Sequence, residues 1–123
     1  MTWKKKIGDY GEKLAMQYLV RNGYIILDRH FSGRFGEIDI IAFKESKIHF
    51  VEVKTRTNSD SGLPEEALTK SKMIKLFKTA RRYIYIKRIE SDNYQLDLVA
   101  IELNKNTKIA KIRHYQAIQL NPY

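Results

Sequence analysis

Apolar residues recur at helical spacing in two stretches of the chain. The first covers residues 7–22 and is followed by a glycine at 23, which commonly lies just past the end of a helix. The second begins at Leu63-Pro64-Glu65-Glu66, where a proline followed by acids favours a helix N-terminus, and continues to about Lys87. The residues expected to face the core in this second helix are Met73, Ile74, Leu76, Phe77, Ala80 and Ile84.

Shorter stretches rich in Ile, Val, Phe and Tyr predict five strands. They are Tyr24–Phe31, which a Ser32–Gly33 turn would end, the segments around Gly36–Ala42 and Phe50–Arg56, and then Tyr94–Leu103 and Lys108–Tyr115. The order is therefore helix, three strands, helix, two strands. This order favours an α/β fold with a mixed sheet that contains a hairpin and carries helices packed on it. A length of 123 residues predicts a single domain over residues 1–123.

A short polar segment, Lys44–Lys47, separates two of these strands and predicts a hairpin. If its turn is centred on Glu45–Ser46, counting outward places Asp39 opposite Glu52. A turn with an odd number of residues would put the two acids on opposite faces, but the absence of glycine favours the even register. The acids could face solvent on an exposed sheet; we favour a functional pair because acids inside apolar runs are seldom buried unless paired or metal-bound.

The same register places Lys54 and Arg56 beside the acid pair, with Glu37 opposite Lys54. Facing carboxylates repel each other, and a hard divalent cation such as Mg²⁺, or Mn²⁺, would offset that repulsion. Carboxylates, a metal ion and a lysine together suit phosphodiester hydrolysis, in which Lys54 would orient the nucleophile or stabilise charge. A salt bridge from Lys54 to Glu37 fits the spacing equally well.

Glu12 lies at the border of the apolar stripe of the first helix, between Gly8 and Lys13 and next to Gly11. It is either a third carboxylate of the site or a surface acid paired with Lys5 or Lys13, and spacing alone does not separate the two.

Four other polar residues lie close to apolar strands. The histidines His30, His49 and His114 have no ligand spacing, so no metal is assigned to them. Asp97 could belong to the site, but we favour a structural role in which it pairs with a nearby arginine.

The net charge of the chain indicates what kind of partner it binds. The chain has 23 Lys and Arg against 14 Asp and Glu, a formal charge of +9. A basic domain commonly binds a polyanion such as nucleic acid, although charge can also simply keep a protein in solution. The residues expected to contact nucleic acid are Arg34, Arg56, Lys72, Lys75, Lys78 and Arg82.

Several protein classes are excluded or disfavoured. Without cysteine the chain has neither disulfides nor cysteine–zinc sites, which fits a reducing compartment. No apolar run is long enough to cross a bilayer, and no signal peptide is visible, so we expect a cytoplasmic protein that does not bind membranes.

Three motifs together resemble the YraN family of small bacterial proteins. They are Gly11-Glu12-x-x-Ala15, the run Gly33-Arg34-Phe35-Gly36-Glu37-Ile38-Asp39-Ile40-Ile41-Ala42, and Phe50-Val51-Glu52-Val53-Lys54-Thr55-Arg56. The resemblance covers nearly the whole chain and includes Thr69-x-x-Lys72, Ala80 and Asp97. This family is similar in core pattern to Holliday-junction resolvases and, more widely, to the restriction-endonuclease-like superfamily with its D…ExK signature.

The resemblance implies a restriction-endonuclease-like α/β/α core around a central mixed sheet, with a Mg²⁺-dependent nuclease site. On matching positions, Asp39 and Glu52 would be metal ligands and Lys54 the catalytic lysine. Glu12 would be a helix-borne catalytic acid, and Lys72 would contact phosphate. The chain departs from the family where Gln95-Leu96-Asp97 replaces the usual Arg-Phe-Asp and where His30 replaces a common Asn.

The leading hypothesis is therefore a metal-dependent endonuclease that acts on DNA, including branched or otherwise structured DNA. The alternative is a nucleic-acid-binding or adaptor module on the same fold that does not cleave. DNA is expected ahead of RNA as the partner, and a symmetric junction substrate would imply a homodimer.

Overall fold

The computed structural model describes residues 2–60, 62–90 and 92–119 of the chain. Its elements are α1 (Trp3–Arg21), β1 (Ile25–Gly33), β2 (Gly36–Lys44), β3 (Lys47–Thr57), a short 3-10 helix (Pro64–Ala67), α2 (Lys70–Ile86), β4 (Tyr94–Leu103) and β5 (Ala110–Tyr115). The predicted order of helix, three strands, helix and two strands is confirmed, with the 3-10 helix added before α2.

The five strands form one mixed sheet in the order β1-β2-β3-β4-β5. Only β3 and β4 run parallel; the other neighbours are antiparallel. Val51 belongs to the buried cluster that contains Leu19 of α1, whereas Phe50 belongs to the cluster that contains Leu76 of α2. Because successive strand residues point to opposite faces, the two helices cover opposite sides of the sheet. The predicted α/β/α core of restriction-endonuclease-like type, with a central mixed sheet, is confirmed.

The β2–β3 hairpin has the even register that its turn predicts. Phe43 pairs with Ile48, and the ladder continues to Ile40 opposite Val51. Glu45 and Ser46 form the two-residue turn with φ of 52° and 62°. Positive φ at both central positions is the backbone of a type I′ turn, whose twist matches that of the strands it joins. The acids of the predicted site therefore approach from the same side of the hairpin.

The start of α2 differs from the prediction. Pro64–Ala67 forms a separate 3-10 helix, and α2 begins at Lys70 because the Thr69 hydroxyl accepts a hydrogen bond from the Lys72 N–H at 3.3 Å. Leu76, Thr79, Ala80 and Tyr83 are buried on its sheet side, whereas the predicted core residue Ile74 is 37% exposed.

Two other boundaries also move. The helix α1 begins at Trp3 rather than at residue 7, because the Thr2 side chain caps it by accepting a hydrogen bond from the Lys5 N–H. The strand β1 continues to Gly33, so the turn before β2 is Arg34–Phe35 rather than Ser32–Gly33. In the described part of the chain, neither helix has the length and hydropathy that crossing a bilayer requires.

Candidate active site

The sheet divides into a fork where the predicted acid pair begins. The β2–β3 ladder ends at Ile40 and Val51. Beyond this pair, β2 stays with β1 as far as Gly36, while β3 stays with β4 as far as Thr57. A groove of about 540 Å³ lies in the fork, with the N-terminal half of α1 along one side.

One helix, α1, and three strands, β1, β2 and β3, supply charged side chains to this groove. Glu37 and Asp39 come from β2, and Lys54 and Arg56 come from β3. Glu12 joins them from α1 and His30 from β1. The structure therefore brings together most of the predicted cluster. Glu52 is the exception, because it is buried and does not line the groove.

Asp39 lies where the two strands separate. Its Oδ2 accepts a hydrogen bond from the backbone N–H of Val53 at 2.9 Å. No β2 carbonyl pairs with Val53 in the ladder, so the carboxylate takes over that role and leaves no backbone donor unpaired. A backbone partner holds the carboxylate in a fixed position, which suits a metal ligand.

Glu12, His30 and Asp39 form the compact group of the groove. Each offers one ligand atom, and these atoms all lie within 4.8 Å of one another. Two carboxylate oxygens and an imidazole nitrogen at this spacing can hold a divalent cation. Glu52 is not part of this group, although it lies next to Asp39.

His30 was not among the predicted site residues, and the register of the β1–β2 hairpin explains its position. Arg29 pairs with Ile40 and Phe31 with Ile38, so His30 lies opposite Asp39. Its φ is 52°, in the left-handed region where histidine and asparagine are tolerated better than most residues. Counting outward from an Arg34–Phe35 turn would have placed His30 beside Asp39, but ligand spacing along the chain could not.

His30 bridges two glutamates. Its Nε2 lies 2.7 Å from Glu12 Oε1, and its Nδ1 lies 2.6 Å from Glu37 Oε1. The hydrogen bond with Glu37 and the charges of both glutamates raise the pKa of His30, although burial partly opposes this. When protonated, His30 neutralises part of the negative charge in the groove.

Glu12 is buried, so the predicted alternative of a surface acid is wrong. Neither Lys5 nor Lys13 pairs with it in the described residues; Lys5 instead binds Asp9 at 3.3 Å. Arg29 lies 3.5 Å from Glu12. Burial and the charge of Asp39 raise the pKa of Glu12.

Glu52 lies behind the groove wall and contacts Lys54, which lines the groove; Lys54 Nζ is 3.1 Å from Glu52 Oε2. The predicted alternative of a Lys54–Glu37 salt bridge is wrong, since Glu37 binds His30. Burial, a hydrogen bond with Asp39 and the charge of Asp39 raise the pKa of Glu52 to about 8, and Lys54 opposes this only in part. At neutral pH and without a metal, Glu52 therefore keeps its proton.

Comparison with known proteins identifies the family of the chain. The sequence model of a family described as "Uncharacterised protein family UPF0102" matches residues 11–101. The chain belongs to this family. The predicted resemblance to the YraN family is confirmed by the same match. The matched span contains Glu12, His30 and Asp39 as well as the Glu52–Lys54 pair.

Three relatives support the assignment. A UPF0102 protein of Clostridium acetobutylicum is 46% identical over 100 residues, which cover 81% of this chain and 82% of the relative. A UPF0102 protein of Clostridium tetani is 42% identical over 112 residues, 91% of this chain and 92% of the relative. One from Caldanaerobacter subterraneus subsp. tengcongensis is 41% identical over 112 residues, 90% and 92% of the two chains.

We expect the free energy of unfolding of this UPF0102 protein, measured without metal, to fall as the pH rises from about 4.5 to about 8. Unfolded glutamate ionises near 4.5, whereas folded Glu52 keeps its proton up to a pKa of about 8. The native state therefore binds more protons in this window, so the free energy of unfolding falls as pH rises. His30, with a raised pKa, contributes in the same direction above pH 6.5.

Urea unfolding in EDTA between pH 5 and pH 8 would measure this dependence. Glu52→Gln should reduce the slope and raise stability at pH 8 by about 1–3 kcal/mol, because no buried charge then forms. Glu45→Gln, at an exposed position in the β2–β3 turn, is the matched control. Equal slopes in the two variants would contradict the assignment to Glu52.

The residues predicted to contact nucleic acid occupy different surfaces. Arg56 lines the groove and donates a hydrogen bond to the Thr55 carbonyl at 3.2 Å. Lys72 donates to the Ala67 carbonyl at 3.1 Å and so links α2 to the 3-10 helix. Lys75 is exposed on α2.

The other three predicted contacts gather around an exposed phenylalanine. We call Arg34, Phe35, Lys78 and Arg82 the Phe35 cluster. Lys78 Nζ lies 4.8 Å and Arg34 Cζ 5.9 Å from the centroid of the Phe35 ring. The Arg82 side chain passes 3.5 Å from where a Cβ on Gly33 would lie. The cluster is a basic surface at the β1–β2 turn.

Asp97 has the structural role that the sequence analysis favoured, but its partners are histidines rather than an arginine. Its Oδ2 lies 2.8 Å from His49 Nδ1 and 2.9 Å from His114 Nε2. Its Oδ1 accepts hydrogen bonds from Gln95 and from the Ala117 N–H. Burial opposes ionisation, yet these bonds hold the pKa of Asp97 well below its usual range. The cluster ties β4 to β3 and β5.

Proposed function

We propose that this protein is a metal-dependent endonuclease that hydrolyses phosphodiester bonds, with DNA as the expected substrate. The observation that carries the proposal is the compact group of Glu12, His30 and Asp39 in a groove that also contains Lys54 and Arg56. Acids for a metal and bases for phosphate thus share one groove in a chain with a net charge of +9.

The donor chemistry of the groove fits a divalent cation. Asp39 and Glu12 would hold it, and His30 would offer a nitrogen ligand. Glu52 lies next to Asp39, and its pKa is raised by burial first and then by the hydrogen bond with Asp39 and the charge of Asp39. A cation would relieve the repulsion between the two acids. Carboxylates suit Mg²⁺ or Mn²⁺, and an imidazole in the set favours the transition-metal ion.

When bound, the metal would polarise the phosphate and lower the pKa of a coordinated water. Lys54 presents an ammonium group at the groove wall, where it can stabilise charge that develops on a phosphoryl oxygen. Glu52 orients this ammonium through the 3.1 Å contact. Arg56 supports the proposal further, because a guanidinium can bind a neighbouring phosphate through two hydrogen bonds.

The test is cleavage of labelled single-stranded, duplex, flap and four-way-junction DNA, with an RNA duplex for comparison. Each substrate is incubated with Mg²⁺, Mn²⁺ or EDTA. We expect cleavage only with metal, and Mn²⁺ at least as effective as Mg²⁺ because of His30.

Binding without cleavage in either metal would contradict an endonuclease and favour the non-catalytic nucleic-acid-binding module. Cleavage that persists in EDTA would contradict the metal site. A preference for the symmetric junction would support a two-fold dimer.

A further inference from the structure

Trp3 is the only tryptophan of the chain, and among the described residues that line the groove there is no phenylalanine or tyrosine. Its side chain is 61% exposed. Tryptophan is usually well buried, so a ring open to solvent in a groove is a candidate contact surface.

The position of Trp3 on α1 explains this exposure. Trp3 continues, at intervals of four residues, the stripe of Ile7, Gly11 and Ala15 that packs on the sheet. Unlike Ile7 and Ala15, Trp3 does not join the buried cluster, and its indole meets Lys105 of the β4–β5 loop. Lys105 Nζ lies 5.3 Å from the centroid of the indole ring.

The loop that carries Lys105 is fixed in this position. The Lys105 N–H donates to the Asn58 side-chain oxygen at 3.0 Å, and the Asn58 N–H donates to the Leu103 carbonyl at 3.0 Å. The β4–β5 loop is thereby attached to the segment that follows β3 and Arg56. The loop backbone therefore holds Lys105 beside the indole before any ligand binds, which reduces the entropy lost on binding.

We propose that Trp3 and Lys105 bind an unpaired nucleotide of the substrate, with the indole stacked on the base and the ammonium near its phosphate. This inference rests on the nucleic-acid substrate of the proposed function and narrows it to DNA that has a single-stranded segment. Bases inside a duplex already stack on both faces, whereas an unpaired base has a free face for an aromatic ring.

The spacing along α1 predicts where this nucleotide lies. Trp3 and Glu12 are nine residues apart, or about 13–14 Å along the helix axis. At roughly 3.4 Å per nucleotide, the rise of a fully stacked strand, this distance is spanned by at most about four nucleotides. An unpaired segment of about four nucleotides, counted from the phosphate at Glu12, should therefore be long enough to reach Trp3.

Because Trp3 is the sole tryptophan, its fluorescence reports on this contact directly. In EDTA, which prevents cleavage, a single-stranded 12-mer should quench the emission, and a blunt duplex of the same length should quench it far less. A duplex with a four-nucleotide overhang should quench like the single strand. Fluorescence anisotropy of labelled DNA measures binding independently of the indole.

Substitutions at Trp3 measure the contribution of the indole ring to binding separately from that of the rest of the groove. Trp3→Ala should weaken binding of the single strand by about 5- to 100-fold. Trp3→Phe should retain most of the affinity because it keeps an aromatic face. Tyr10→Ala removes another exposed aromatic on α1 that does not line the groove, and it should match the wild type.

Equal quenching by blunt duplex and single strand would overturn the preference for an unpaired base. Binding seen by anisotropy without quenching, or unchanged binding by Trp3→Ala, would overturn the role of Trp3 and leave the proposed endonuclease intact. Selective quenching without metal-dependent cleavage would support the stacking site and contradict the endonuclease.

Discussion

Glu52→Gln should lower metal-dependent cleavage by at least roughly 10²–10³-fold while DNA affinity stays equal or increases. Glu52 contacts Asp39 and holds the Lys54 ammonium at 3.1 Å, and a neutral amide would disturb both contacts. Affinity should not fall, because Glu52 does not line the groove and, in EDTA at neutral pH, this buried acid already carries its proton. Single-turnover cleavage measures the first effect and anisotropy in EDTA the second.

The control for this experiment is again Glu45→Gln, which should cleave like the wild type. Lys54→Ala is a second variant that tests the same pair from the other side, and it should also lose cleavage. If Glu52→Gln and Lys54→Ala both cleave at the wild-type rate, the reacting phosphate lies elsewhere. Circular dichroism of each variant separates loss of chemistry from loss of folding.

Gly11→Ala should destabilise the protein by about 3 kcal/mol or more. A Cβ on Gly11 would lie 2.0 Å from Thr55 Oγ1 and 2.9 Å from Thr55 Cβ, so α1 would have to move away from β3. The same movement would displace Glu12, the next residue, from His30 and Asp39. We therefore expect cleavage to fall together with stability, which chemical denaturation measures.

Gly8→Ala is the matched control on the same helix. No heavy atom lies within 4 Å of a Cβ at Gly8, and alanine has the higher helix propensity. This variant should be as stable as the wild type or gain up to about 1 kcal/mol. In the Gly11→Ala background, Thr55→Ala should restore part of the lost stability, since it removes the atom that overlaps most. Equal effects of the two glycine variants would contradict the close contact of α1 with β3.

Local signals were sufficient for most of the fold. The alternation of β2 and β3 and the two-residue turn at Glu45–Ser46 determined the hairpin register, because a shift by one residue would turn every core side chain outward. Helix limits were predicted less well. Pro64 wrongly indicated the first residue of α2, since Thr69 is the residue that caps this helix.

The candidate site was predicted in part. Asp39, Glu37, Lys54 and Arg56 lie in one groove, as their strand positions indicated. The pairing within that groove was not predictable from β2 and β3 alone, because the partner of Glu37 comes from a third element. Glu37 pairs with His30 of β1, which left Lys54 to Glu52.

Sequence by itself therefore determined the family, the order of elements, the hairpin register and the residue types that suit metal and phosphate. These features depend on neighbours along the chain and on strand periodicity. Only the tertiary structure decided that β2 and β3 separate after Ile40 and Val51, that Glu12 of α1 reaches His30 and Asp39, and that Trp3 remains exposed beside Lys105. Those contacts depend on how each half of the sheet pairs with its other neighbour and on how α1 packs across the sheet, which no local pattern encodes.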